Sequence, residues 1–258
     1  MEKMENISAN SNETWLEIIS KHYVFHFKKD SYAAQFIDNV IAQQEECFDD
    51  ISHLLNTVPK TKIHYWLCDS RKEVANLSDY SECNGVTCCD DGTAAIYCVY
   101  NEQIKCIGYH EDTHAVAYFY NDTKSDALAE GLAMYMDKKW WSVENELCTL
   151  TYIENGKYVS VQDLLCGKGN LGDEYFLEVD DCYSYPIMGA FVGFLIEQKG
   201  KDGFLSLYSK EGADLPTEFF EVYGYSLAQA ENEFVDYIKA KDYTAEQKTA
   251  AKSKLIFE

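Results

Sequence analysis

The chain has 258 residues, 47% of them hydrophobic and 14% aromatic, with only three prolines; a chain of that make-up can bury a sizeable core, which excludes intrinsic disorder. Asp and Glu number 44 against 22 Lys and Arg, a net charge of −22. Such a surface repels phosphate backbones and anionic headgroups, so neither nucleic acid nor a membrane is expected as a partner.

In chain order, the N-terminal run Met1-Glu2-Lys3-Met4-Glu5 is too acidic and polar for a signal peptide. The expected location is cytoplasmic, or secreted if a leader has been removed. Tyr23 to Phe27 reads as a strand. Ser31 to Leu55 reads as a long amphipathic helix, with Phe36, Ile37, Val40, Ile41, Phe48, Ile51, Leu54 and Leu55 on its apolar side. A second strand is expected over Lys62 to Cys68, a short helix over Arg71 to Leu77, and a third strand over Gly92 to Tyr100. Everything after Ile104 reads as mostly helical. The expected class is therefore α+β, a small N-terminal sheet with a helix followed by a helical half, divided as 1–103 and 104–258 and working as one catalytic unit. The stretch Glu154 to Asp181 reads as irregular, either lining the site or forming a solvated excursion. The longest apolar run, Ile187 to Ile196, is too short to span a bilayer. The ten cysteines include no C-x-x-C pair, so they are expected as thiols rather than as a disulfide framework or a structural metal site. His22, His26, His53 and His64 are expected to be ordinary strand or helix residues, and Trp140-Trp141 to be packing rather than a substrate platform.

The chemistry concentrates at His110-Glu111-Asp112-Thr113-His114, which spells H-E-x-x-H. Histidines four apart on a helix lie one turn above each other, so both imidazoles can reach one metal ion. A glutamate beside the first can contact a water on that ion. The segment Ile104 to Tyr120 has no proline and carries apolar residues at near-helical spacing, which places the motif on a buried helix. A turn over 121–125 follows, with Ser125 or Asp126 capping a second helix from Ala127 to Met136. Glu130 is the only acid in that apolar stretch, and a metal ion would remove the cost of burying it.

These residues resemble a known group. His110-Glu111-x-x-His114, followed by Glu130-Gly131-Leu132-Ala133, is similar to the gluzincin zinc peptidases, in particular their small "peptidase MA-like" members. Two later blocks extend the resemblance over roughly residues 104–240. They are Tyr185-Pro186-Ile187-Met188-Gly189-Ala190-Phe191-Val192, and Gly224-Tyr225-Ser226 leading into the helix with Glu231 and Phe234. Asp112 departs from the family pattern, which usually has an uncharged residue there. It either raises the pKa of the neighbouring carboxylate or points to solvent.

The resemblance implies a zincin-like fold in which an edge strand just before the metal helix pairs with substrate, a place that Gly92–Tyr100 occupies. It implies one Zn²⁺ per chain held by His110, His114 and Glu130, with Glu111 as general base. By resemblance Tyr185 is the phenol beside the developing oxyanion, with Tyr183 as the alternative. The expected function is a zinc-dependent peptidase acting on peptides or proteins. Two other readings share the same residues: a metal-dependent hydrolase of a non-peptide amide or ester, and a zinc-binding interaction domain without turnover.

Overall fold

The structure is a computed structural model that describes the backbone of residues 6–7 and, in full, residues 15–169, 174–210, 212 and 214–255. By their internal contacts the residues fall into two compact units, Met1–Tyr120 and Asn121–Glu258. The boundary lies after the H-E-x-x-H helix rather than at the expected 103/104, because that helix packs on the sheet of the first unit.

The first unit is built on a six-stranded mixed sheet. Its elements are β1 (Asn6–Ile7), β2 (Trp15–Ile19), β3 (Tyr23–Lys28), α1 (Tyr32–Leu55), β4 (Ile63–Cys68), α2 (Arg71–Ser78), β5 (Gly85–Asp90), β6 (Thr93–Val99) and α3 (Tyr109–Tyr120). The strand order is β1-β2-β3-β4-β6-β5, with β3, β4 and β6 parallel and the outer pairings antiparallel. Parallel β3 and β4 require a crossover, and α1 supplies it. Ser31 starts α1 by accepting the Ala34 N–H, and Asn56 ends it in the left-handed conformation.

Strand alternation sorts the side chains. Tyr23, Phe25 and Phe27 of β3 and Ile63, Tyr65 and Leu67 of β4 are all buried and, by the two-residue period, share one face. Tyr23, Phe25 and Tyr65 pack ring against ring there, and Tyr23 also meets Phe48 of α1. The other face carries Cys68 and Val99, which pack with Val74 of α2. Val40, Phe48, Ile51 and Leu55 of the expected apolar side of α1 are buried, whereas Phe36 is 38% exposed.

The edge differs from the expectation. The third strand, β6, lies inside the sheet and pairs with both β4 and β5. The edge is β5, which reads in sequence as Gly-Val-Thr-Cys-Cys-Asp, too weak an apolar alternation to mark a strand. It forms because the Asp91-Gly92 turn, with both residues at positive φ, folds it back on β6. Strand β2 was equally unmarked. The metal-motif helix also starts later than its pattern suggests: Lys105 bridges Tyr100, Gly108 takes φ 132°, and the helix begins at Tyr109.

The second unit is helical apart from a hairpin. It contains α4 (Asp126–Asp137), β7 (Lys139–Trp140), β8 (Val143–Glu144), α5 (Asn145–Glu154), α6 (Val161–Cys166), α7 (Tyr175–Glu178) and α8 (Asp181–Phe194). A π-helical turn over Leu195–Lys199 leads into α9 (Lys201–Tyr208), α10 (Leu215–Tyr223), α11 (Leu227–Lys239) and α12 (Ala245–Leu255). The stretch expected to be irregular, 154–181, thus holds two short helices; its residues 170–173 lie outside the described residues.

The central packing is α4 against α8. Two glycines allow the close approach. A Cβ on Gly189 would lie 2.6 Å from the Met134 Cβ, and one on Gly131 would lie 2.8 Å from a Val192 methyl, both below any real contact. Glu231 of α11 is buried and accepts hydrogen bonds from Tyr158, Ser160 and the Val161 N–H, tying α11 to the start of α6. No helix among the described residues is long and apolar enough to cross a membrane.

Candidate metal centre

Helix α3 presents His110 and His114 one turn apart, with ring centroids 5.1 Å from each other. Its first turn carries Glu111 and Asp112, acids that complement the positive end of the helix dipole. The other acid sits on α4, where Ser125 caps the helix by accepting the Leu128 N–H and Glu130 follows one turn later. One donor atom from each of His110, His114 and Glu130 lies within 4.8 Å of the other two, and all three residues are half-buried. Two imidazoles and a carboxylate, close enough to bind one metal ion, are the donor set that the sequence selected.

Glu111 points elsewhere. Its Oε2 accepts a 2.7 Å hydrogen bond from the Thr87 hydroxyl, which also lies 3.0 Å from the Glu111 carbonyl oxygen. Thr87 belongs to the edge strand β5, so the carboxylate is held by the strand that sequence reasoning missed. Two residues back, Gly85 leaves room for it. A Cβ there would stand 2.7 Å from Glu111 Oε1 and 3.0 Å from the Cys106 sulfur. Nothing in the local pattern marks either residue; only the pairing of β5 with β6 brings them to α3.

Asp112 takes the opposite direction and is fully buried. It shares a hydrogen bond with the Tyr23 hydroxyl and accepts one from Gln44 Nε2 at 2.7 Å. Gln44 Nε2 also reaches Tyr65 Oη and the Gly108 carbonyl, and the Tyr23 hydroxyl reaches the Gln44 carbonyl. The solvent-pointing alternative for Asp112 is therefore wrong: the residue is the link that fastens α3 to α1 and the sheet. Burial holds its carboxyl well above the usual carboxylate range, against the hydrogen bonds from Tyr23 and Gln44 that pull it down.

In the second unit, Asp181 at the start of α8 has its carboxyl raised by burial and next by the charge of Glu130. Tyr185 is one turn further along the same side of α8, with its ring 5.7 Å from Trp140 and stacked 6.1 Å from Phe176. Tyr183 turns another way and packs edge-on against Tyr152 of α5. Tyr208 of α9 went unnoticed in the sequence. It is buried, and its phenol is pushed up by that burial and then by the charges of Asp122 and Glu130.

Among the described residues, the remaining histidines form no further donor group. His22 pairs with Glu45 at 2.6 Å and stacks on Phe48. His26 is buried, stacked on Trp66 and 2.9 Å from His64. Among the described residues, His110, His114 and Glu130 are the one His/Cys/Asp/Glu group with metal-ligand spacing. Compared with known proteins, the chain matches no family model, and no curated protein matches it.

Proposed function

We propose that this protein is a zinc-dependent peptidase of the gluzincin type. The observation that carries the reading is the convergence of the His110, His114 and Glu130 donor atoms, with a second carboxylate, Glu111, next to the first histidine, outside the donor set and held by Thr87. A structural zinc site uses four protein ligands, whereas a hydrolytic one keeps three and leaves a position open. Bound there, zinc supplies Lewis-acid polarisation of a carbonyl and lowers the pKa of water from about 16 to about 7.

The chain's own residues supply the rest. His110, His114 and Glu130 hold the ion, the glutamate offsetting one of its two charges. Glu111, fixed by Thr87 and given room by Gly85, accepts a proton from the attacking water and returns it to the leaving amine. Tyr185 is the phenol for the developing oxyanion, supported by its place one turn from Asp181, which senses Glu130, while Tyr183 is engaged with Tyr152.

The test separates binding from turnover. Wild type should carry one zinc per chain and cleave peptides, His114→Ala should lose the metal, and Glu111→Gln should keep it while losing about 10²- to 10⁴-fold in kcat. A His114→Ala protein that still binds one tight zinc would place the site elsewhere. Equal turnover by wild type and Glu111→Gln would rule out the glutamate base. Cleavage of an amide or ester but of no peptide would move the assignment to a non-peptide hydrolase. Bound zinc with no hydrolysis of any substrate would make the protein an interaction module.

A further inference from the structure

Between α4 and α5 the chain makes a hairpin so short that β7 and β8 contribute two residues each, with Trp140 paired to Val143. Its two-residue loop is Trp141-Ser142, and both residues lie in the left-handed region, at φ 46° and 69°. Loops of this kind favour Asn-Gly, because a side chain with a Cβ is strained there and a bulky aromatic ring most of all. Trp141 nevertheless occupies the first position, and it is 71% exposed. Burial therefore gives no reason for a tryptophan, and local backbone preference opposes it. The hairpin itself is well anchored. Lys254 reaches the Ser142 hydroxyl at 3.0 Å, Tyr243 donates to Glu144 at 3.1 Å, and the Asn145 N–H bonds the Lys138 carbonyl.

The ring does not stand alone. Trp141 meets Trp140 at 6.2 Å, Trp140 meets Tyr185 at 5.7 Å, and Tyr185 stacks on Phe176 at 6.1 Å. This row starts at an exposed, strained tryptophan and arrives at the phenol assigned above to the oxyanion. Strained backbone concentrates where a side chain must be presented rather than packed. Tryptophan offers a large, rigid contact surface at low conformational cost, which suits a binding platform.

We infer that Trp141 and Trp140 form a substrate subsite that takes a bulky aromatic or aliphatic side chain of the cleaved peptide. The inference rests on the peptidase reading. The ring spacings bound its place: an extended peptide advances about 3.3 Å per residue, so the recognised side chain lies at most about four residues from the scissile bond. Trp141 is the specificity-determining ring, and Trp140 the floor that connects it to Tyr185.

The experiment uses zinc-loaded full-length protein and a peptide series in which Phe, Leu, Ala or Asp is scanned through four positions on each side of the cleaved bond. Wild type should favour Phe and Leu over Ala by about tenfold or more in kcat/KM at one position, the range that differential burial of an apolar side chain supplies. Trp141→Gly removes the ring and also relieves the strained φ, so the variant folds at least as well; its preference should collapse toward unity. A preference that survives in Trp141→Gly, or no preference in a wild type that does cleave peptides, overturns the subsite. A second arm is independent of turnover: the Phe and Ala peptides are titrated against Glu111→Gln and Glu111→Gln/Trp141→Gly and followed by tryptophan fluorescence. If wild type cleaves no peptide, the peptidase reading fails, and this arm still decides. Tighter binding of the Phe peptide that needs Trp141 supports an aromatic docking site, and equal binding by both proteins overturns it.

Discussion

Replacing Asp112 tests how α3 is fixed. The carboxyl is fully buried and lies among Tyr23, Gln44 and Tyr65, and burial raises it well above the usual carboxylate range. Each oxygen accepts from a different donor. One accepts from the Tyr23 hydroxyl, which also reaches the Gln44 carbonyl at 3.2 Å, and the other accepts from Gln44 Nε2 at 2.7 Å. Asparagine keeps the shape and both contacts: its oxygen accepts from Gln44, and its NH₂ donates to the Tyr23 oxygen once the Tyr23 hydroxyl turns to the Gln44 carbonyl beside it. Asp112→Asn should therefore change stability by less than about 1 kcal/mol. Asp112→Ala removes two buried hydrogen bonds and takes their acceptor from the Tyr23 hydroxyl and one Gln44 N–H. At about 1–3 kcal/mol for each group so stranded, the loss should be about 2–6 kcal/mol. Urea unfolding at pH 7 in the presence of a chelator measures both variants free of any stabilisation by bound metal. If Asp112→Asn is as damaging as Asp112→Ala, the Tyr23 hydroxyl does not turn to the Gln44 carbonyl, and the reasoning is refuted.

Two further outcomes follow from the first unit. Thr87→Val keeps the shape of the side chain but removes the hydroxyl on Glu111, so kcat should fall about 10- to 100-fold with zinc content unchanged, and Thr87→Ser should restore it; equal rates in the Val and Ser variants would show that Thr87 does not position the base. His26 is held down at about 4 by burial and then by His64, below the usual 6.5, so between those values the unfolded chain binds the extra proton. Its contribution to stability is thus complete above pH 6.5 and is lost as the pH falls toward 4, with a slope of at most about 1.4 kcal/mol per pH unit. Urea melts at pH 7 and pH 5 should show a smaller drop for His26→Phe than for wild type, and identical drops would refute the assignment.

Much of the architecture was legible locally. Ser31 and Ser125 signal helix starts because a hydroxyl must satisfy the first free N–H groups, and the period of Val40, Phe48, Ile51 and Leu55 fixes which side of α1 is buried. The H-E-x-x-H spacing placed two imidazoles on one side of α3, and Glu130 stood out as the lone acid in the apolar stretch Ala127–Met136; these are consequences of the 3.6-residue turn and of the cost of burying charge. The edge strand was not legible. Gly-Val-Thr-Cys-Cys-Asp has no strand alternation of its own, and it becomes β5 only because β6 offers an open row of hydrogen-bonding groups beside it. With that strand hidden, so were Thr87 and Gly85, whose relation to Glu111 exists only across the sheet. Asp112 is the sharpest case. Its neighbours in sequence are an acid and a threonine, which suggest solvent, but its surroundings are Tyr23 and Gln44, 89 and 68 residues away. Sequence alone set which two histidines share one side of α3, because helical spacing is a local property. Tertiary packing decided which of the two adjacent acids faces Thr87 and which is sealed in the core, because burial and hydrogen-bond partners are supplied by distant segments of the chain.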